Sequence, residues 1–290
     1  MDELQTLARK LLEEKQVAVV IGYGEGRRGV RPIFVTDAAD CERLLFDPRC
    51  VHNLAAYLSP RRSHVTSLGR AAVVVKACDA KAVAGLIRES QLERDKVVVI
   101  GVRCGGVVKD PTCREPLSAT TVAPRCGDGD RREPALADAL VGEPQPAPPR
   151  PADGQLSVEA IEAMAPDARL RLWTDLLSAC TRCHACRQAC PLCFCERCIA
   201  DKTQPSWIES SPHARASFAW HVTRALHLAG RCVDCGECER ACPAGIPLGL
   251  LRRKVAQSVA DRFAYRVTDD PSVPAPIGVF RQEDAQEFIL

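Results

Sequence analysis

The chain lacks three features that would place it in a membrane, in an oxidising compartment or on a polyanion. No stretch approaches the ~20 uninterrupted apolar residues that a spanning helix requires. The most apolar runs, at residues 17–21, 71–75 and 97–102, are of strand length, so no membrane span is expected. No basic segment leading into an apolar one occurs within residues 1–15, so a secreted disulfide framework is not expected either, despite seventeen cysteines among 290 residues. Charge of one sign is not in surplus. The 39 Lys and Arg are set against 37 Asp and Glu with the signs interspersed, a formal +2 that gives neither nucleic acid nor an anionic surface a field to follow. The expectation is a cytoplasmic protein whose reduced thiols call for a metal.

Two regions of different pattern follow, and the fold class expected is α+β. In residues 1–143 helical and strand periods alternate. Leu4, Leu7, Ala8, Leu11 and Leu12 recur at helical spacing, residues 17–21 read as a strand, and a glycine-rich turn with Gly22, Gly24, Gly26 and Gly29 leads into a second strand at 30–35. Thr36 or Asp37 can cap a short helix. Strand 71–75, a helix over 80–89 capped by Asp79 and strand 97–102 make a strand–helix–strand unit with a right-handed crossover. Residues 144–156 hold Pro144, Pro146, Pro148, Pro149 and Pro151, a density that favours an extended linker. Residues 157–265 then read as a helical domain, with a helix capped by Ser157 and amphipathic helices near 167–179, 212–229 and 248–263. Residues 266–290 have the look of a docking tail.

The helical region carries the chemistry. Cys180-x2-Cys183-x2-Cys186-x3-Cys190-Pro191 and Cys232-x2-Cys235-x2-Cys238-x3-Cys242-Pro243 are two complete bacterial-ferredoxin runs. Thiolates at i, i+3 and i+6 in a turning loop reach three corners of one cubane, and the fourth, beside proline, is turned towards the other cluster. One [4Fe–4S] cluster is therefore expected on Cys180, Cys183, Cys186 and Cys242, and a second on Cys232, Cys235, Cys238 and Cys190. A zinc site usually pairs two distant C-x2-C knuckles, leaving the third cysteine and the Cys-Pro without a role. Loading two oxidised cubanes would take the chain from a formal +2 to about −2, so each needs compensating surroundings. Arg182, Arg187, Arg231 and Arg240 are the arginines beside the runs that can supply it or meet a partner.

Nine cysteines lie outside the runs. Cys193, Cys195 and Cys198 follow the first run at once and are one ligand short of a site of their own, for zinc or for a cluster. Cys78 and Cys104 stand at the C-terminal ends of adjacent strands, where open α/β sheets place ligands, and with Cys113 and Cys126 they make a candidate third site. Its fourth thiol is Cys113 or one of Cys193, Cys195 and Cys198; the alternative is that these are packing residues. Cys41 and Cys50 read as structural. His184, His213, His221 and His227 are expected to pack or cap. The glycine turn resembles a phosphate loop only loosely, because no helix opens after it and no acid stands where a ribose needs one.

Lys76-x-Cys78-Asp79 followed by a helix, and then Cys104-Gly105-Gly106-Val107, resemble the beta-subunit family of deazaflavin coenzyme (F-420)-reducing hydrogenases and dehydrogenases, which includes formate dehydrogenase beta subunits. The stretch from Trp173 to Pro247 is similar to the ferredoxin-type extension of a subgroup found beside hydrogenase, formate dehydrogenase or heterodisulfide reductase-like subunits. The resemblance implies a cluster on cysteines of the α/β domain, often through a later C-x2-C pair, and FAD and deazaflavin sites in catalytic members. Cys126-Gly127-Asp128-Gly129 departs from that pair. Either Cys113 substitutes, a thiol of the Cys193, Cys195 and Cys198 group swings in, or the cluster is absent, and FAD falls on no identifiable residues. Two functions follow: an iron–sulfur subunit passing single electrons between partner subunits, or a flavin enzyme feeding hydride electrons into its clusters. A redox sensor would need an effector domain that the sequence does not show.

Overall fold

The computed structural model describes residues 2–127, 133–151, 156–280 and 282–283. Residues 128–132, which include Asp128 and Gly129 of the departing motif, parts of the linker (152–155) and parts of the tail (281 and 284–290) lie outside the described residues.

Helix α1 (Asp2–Glu13) turns Leu4, Ala8 and Leu11 into the core, and two strands follow, β1 (Val19–Gly26) and β2 (Gly29–Val35). The glycines expected in a turn are strand residues. Gly22 and Gly24 lie in β1, where a side chain on Gly22 would collide with Leu44 and one on Gly24 would come within 2.7 Å of Ile33. The β1–β2 link is a tight antiparallel hairpin that closes at Gly29, whose φ of +117° favours glycine. The loose likeness to a phosphate loop ends there. Asp37 caps a 3-10 turn over Ala38–Arg43, accepting from the Ala39 amide at 2.9 Å.

After a short helix, α2 (Ser63–Thr66), the strand–helix–strand unit stands as β3 (Ala71–Val75), α3 (Ala77–Arg88) and β4 (Val97–Val102), with both strands fully buried. A short β5 (Ala139–Val141) completes a five-stranded sheet of order β2-β1-β3-β4-β5, parallel except for the hairpin. Helix α3 begins three residues before the expected Ala80, so Asp79 is not a cap. It lies inside the first turn, and its carboxylate is drawn to buried cations instead.

The second half is helical: α4 (Val158–Glu162), capped by Ser157, α5 (Pro166–Ser178), α6 (Ala185–Ala189), α7 (Ala214–His227), capped by the His213 ring, α8 (Glu237–Arg240) and α9 (Leu248–Phe263). Trp220, Leu177, Ile246, Leu248 and Cys186 form its small core. Among the described residues no helix is long and apolar enough to cross a membrane.

The two halves share apolar packing. Leu192, Leu228, Val233 and Cys235 belong to the main core, and Leu192 covers Gly85 on α3, where a Cβ would stand 3.1 Å from its Cδ2. The tail docks on its own chain over part of its length: Asp269 Oδ2 accepts from the Ala135 amide at 2.7 Å and Ala275 is buried, whereas Ile277 and Phe280 are exposed. Leu192→Ala removes a buried side chain at this seam. It should cost about 2–5 kcal/mol of stability, read as a fall in the urea midpoint with the sheet's secondary structure unchanged below the transition.

Candidate metal centre

The two cysteine runs fold alike. In the first, Arg182 and His184 have φ of 57° and 60°; in the second, Asp234 and Gly236 have φ of 51° and 72°. These are the same two places in each run, just before and just after the second cysteine. Three of the four are not glycine, and each left-handed residue costs about 1 kcal/mol or more. A sequence tolerates that strain twice, in register, when the curled backbone has work to do: it turns successive N–H groups inward, the concavity that receives anions and iron–sulfur clusters. The Arg182 amide donates to Cys180 Sγ at 3.4 Å, and the matching Asp234 amide bonds Cys232. Each loop then enters a one-turn helix, α6 or α8, and the two helices pack together, bringing the third cysteine of each run, Cys186 and Cys238, into one neighbourhood with Cys180, Cys242 and Cys198.

The cross-run set is drawn together around a cavity. Cys190 of the first run and Cys232, Cys235 and Cys238 of the second line one enclosed space, with Leu192, Leu228, Arg224 and Arg252 among the remaining walls. The cavity is small, about 30 Å3. Among the described residues no three His, Cys, Asp or Glu side chains converge closely enough to hold a single metal ion. The first-run set is less enclosed, with Cys186 buried, Cys180 and Cys242 half-buried and Cys183 exposed.

Burial pushes the Cys186 and Cys232 thiols up to about 11, and Cys235 well above its ordinary value. Such thiols are protonated near neutrality, and metal loading must displace those protons. Cys193 goes the other way. A hydrogen bond with Cys190 and the nearby Arg224 guanidinium bring it well below its ordinary value against the opposing effect of burial.

Helix α7 supplies a lining that the sequence reading passed over. His221 Nε2 lies 3.3 Å from Cys180 Sγ, and Arg224 Nη1 donates to Cys186 Sγ at 3.1 Å and Nη2 to Cys193 Sγ at 3.3 Å. Arg252 of α9, also buried, donates to the Arg224 carbonyl at 3.0 Å. The available signal was an arginine on the apolar face of each helix, Arg224 beside Trp220 and Ala225, and Arg252 beside Leu248. Burial and the surrounding guanidinium groups hold the His221 imidazole down to about 3, hence neutral, in keeping with an imidazole that packs. The four arginines beside the runs are all engaged within the chain. Arg182 stacks on Trp220, Arg187 pairs with Asp201, Arg231 with Glu89, and Arg240 with Glu237.

In the α/β half, Cys104, Cys113 and Cys126 pack on one apolar patch of Val51, Val107, Val108 and Ala123. Backbone amides of Gly106 and Val107 donate to Cys104 Sγ and Cys126 Sγ, each at 3.4 Å. Cys78, in the first turn of α3, lies within the electrostatic reach of Cys104 and of Arg125, and burial pushes its thiol up to about 12. Cys193, Cys195 and Cys198 are placed elsewhere, in the helical half: Cys193 against Arg224, Cys195 exposed beside Arg187, and Cys198 near Trp220. Cys41 and Cys50 are fully buried in the sheet core.

A chain of buried ions links this patch to the second cysteine run. Asp79, with no exposed surface, meets Lys76 Nζ at 2.5 Å and Arg125 Nη1 at 3.3 Å. Lys76 also donates to Tyr23 Oη, Cys50 O and His52 O, at 2.6, 2.9 and 3.0 Å. Arg125, adjacent to Cys126, donates to Val51 O at 2.8 Å and, across the interface, to Cys235 O at 3.1 Å. Glu237 answers from the other side, accepting from the Asn53 amide at 2.8 Å. Burial would raise its carboxyl, yet the His52 and Arg240 contacts outweigh that and hold it at about 2.

No family model matches the chain. Over 113 residues it is 31% identical to the F420-dependent formate dehydrogenase subunit beta of Methanocaldococcus jannaschii, a stretch covering 39% of this chain and 29% of that protein. Over an alignment of 335 residues it is 23% identical to the F420-dependent formate dehydrogenase 1 subunit beta of Methanococcus maripaludis, covering 85% of this chain and 84% of the relative. The relationship to these beta subunits is distant. Removal of the shared carboxylate tests the ion chain: Asp79→Ala leaves Lys76 and Arg125 facing each other without an anion, and should lower unfolding free energy by about 3–5 kcal/mol in urea titrations.

Proposed function

We propose that this chain is an iron–sulfur electron-transfer subunit of a multi-subunit oxidoreductase, of the hydrogenase, formate dehydrogenase or heterodisulfide reductase-like kind, working in the cytoplasm. One observation carries the reading: two cysteine runs with the same pair of left-handed residues bring Cys190, Cys232, Cys235 and Cys238 around a single cavity with two buried arginines on its wall. These four residues would hold one [4Fe–4S] cluster, and Cys180, Cys183, Cys186 and Cys242 the other. A bound cubane supplies one-electron exchange at a potential set by hydrogen bonds to sulfur, net charge and exposure. The chain's own residues do the rest. The curled loops aim amides at the thiolates, His221 and Arg224 approach the sulfurs of the first set, and Leu192 and Leu228 give the second an apolar wall. The distant likeness to formate dehydrogenase beta subunits supports the role of a redox subunit with protein partners.

The same reading extends to a third site on Cys78, Cys104, Cys113 and Cys126. Of the fourth ligands open to it, Cys113 is favoured, because it shares the patch with Cys104 and Cys126, whereas Cys193, Cys195 and Cys198 have partners in the helical half. A second reading, a flavin-dependent subunit exchanging hydride with a deazaflavin or nicotinamide, is favoured by a cavity of about 610 Å3 at the C-terminal edge of β4 and β5. Its charge argues against a dinucleotide. Glu3, Asp47 and Glu143 line it, and the one arginine on its wall among the described residues, Arg103, is held by Glu133 and by Gly142 O. A pyrophosphate needs the opposite sign.

Iron and acid-labile sulfide in the anaerobically purified chain should come to about twelve of each, for three cubanes. A value of about eight would withdraw the third site, and a chain free of iron would sink the whole reading. Stoichiometric FAD would favour the flavin enzyme. Cys190→Ala should damage the cluster of Cys232, Cys235 and Cys238 and spare that of its own sequence neighbours; the reverse pattern in spectra of the variant would reject the cross-run assignment. Chelation of iron should unfold the helices while β1–β5 persist, and a fully helical, protease-resistant apoprotein would contradict that coupling.

A further inference from the structure

Arg224 stands where the two cysteine sets meet. It is 2% exposed, and through Nη1 and Nη2 it reaches Cys186 Sγ and Cys193 Sγ, with Nη2 also 3.4 Å from Cys186 O. Its other side forms part of the wall of the cavity lined by Cys190, Cys232, Cys235 and Cys238. Trp220 lies under its guanidinium, 4.7 Å from ring centroid to Cζ. No carboxylate among the described residues pairs with it, and its Nε has no hydrogen-bond partner. Arg252 repeats the pattern: buried, on the same cavity wall, bonded through Nη1 to a carbonyl and with Nε unpartnered. A guanidinium removed from water without an anion costs several kcal/mol, and here two are placed together. Their compensation has to come from negative charge on the neighbouring cysteines, Cys193 beside Arg224 and the thiols of the two sets.

Resting on the dicluster reading, we propose that Arg224 is a positioning and potential-setting residue shared by the two sites, with Arg252 as its support. As an N–H donor to a sulfur of the first set and a fixed cation on the wall of the second, it stabilises the extra negative charge each site carries when reduced, and so raises both reduction potentials. The effect is strongest between the sites, where an electron moves from one set to the other past a positive charge that water cannot screen.

The test is a redox titration of the whole anaerobically prepared chain, followed by electron paramagnetic resonance, with iron and sulfide determined on the same samples. Arg224→Gln should retain iron and, at a fixed solution potential, show a reduced-to-oxidised ratio about tenfold lower than the native chain, equivalent to about 59 mV for a one-electron couple. Arg224→Lys, which keeps the charge but not the fork of donors, should fall between. Native iron content with unchanged potentials in Arg224→Gln overturns the proposal. If that variant does not hold its iron, Arg252→Gln decides: a shift in the same direction supports the shared cation, and no shift overturns it. An iron-free native chain instead overturns the dicluster reading, which separates the two failures.

Discussion

The carboxylate of Asp79, with no exposed surface, sits between Lys76 and Arg125, and the polar contact between the 50–53 loop and the second cysteine run hangs from that ion pair. Lys76 could not otherwise remain charged at the end of a fully buried strand, and Arg125 could not cross the interface to the Cys235 carbonyl. The carboxylate neutralises one cation, and Tyr23 and the carbonyls of Cys50, Val51, His52 and Cys235 accept from the other donors, apart from Arg125 Nε, which has no partner. Burial works against the charge on Lys76, but Asp79 and Tyr23 together reverse it and hold the ammonium protonated. A buried ion chain of this sort adds little net stability compared with apolar residues of the same shape, yet breaking it at one member is expensive. It fixes the 50–53 loop, and that loop is where Glu237, Arg240 and Arg125 all make contact.

Charge also explains the unequal distribution of arginine. The sequence balances its charges almost evenly, so no surface field is built, but the interior does not follow that balance. Arg125, Arg182, Arg224 and Arg252 are all buried, each close to cysteines of one set or another. Arginine suits such positions because it stays charged and spreads its donors over a planar fork that can serve a sulfur, a carbonyl and an aromatic face at once. In an interior of low dielectric such cations need matching negative charge: Asp79 meets Arg125 at 3.3 Å, Asp201 stands 3.9 Å from Arg182, and on the proposed cluster assignment the ligand thiolates would answer Arg224 and Arg252.

Much of this arrangement could be read before any coordinates. Strands 71–75 and 97–102, the helices capped by Ser157 and near 212–229, and the register of the two cysteine runs are local properties of spacing, and local spacing is what a sequence displays. What could not be read depended on contacts distant along the chain. The glycines of β1 looked like a turn because glycine usually punctuates one, whereas here they make room for Leu44 and Ile33. Asp79 looked like a helix cap because acidic residues favour first turns, and only the arrival of Lys76 and Arg125 assigned it elsewhere. Arg224 and Arg252 were invisible for a similar reason. A charged residue on an apolar helix face is ordinarily a side chain reaching for solvent, and nothing nearby in sequence says that this one reaches for Cys186.

Exposure then orders the two cysteine sets within the chain. Cys235 is buried against Arg125 and the α/β half, so the set to which it belongs faces the patch of Cys104, Cys113 and Cys126. Cys183 is exposed, so its set is the one nearest to solvent. Between them stands Arg224, bonded to a sulfur of the outer set and forming the wall of the inner. The Pro-Leu step after Cys190 binds this order to the fold, because the residue that carries the crossing thiol is followed at once by Leu192, which packs on α3 beneath the sheet. On the cross-run assignment proposed above, a change that loosens the seam between the halves would also move Cys190, the thiol that the inner set takes from the first run, and would so couple assembly of the inner site to docking of the two halves.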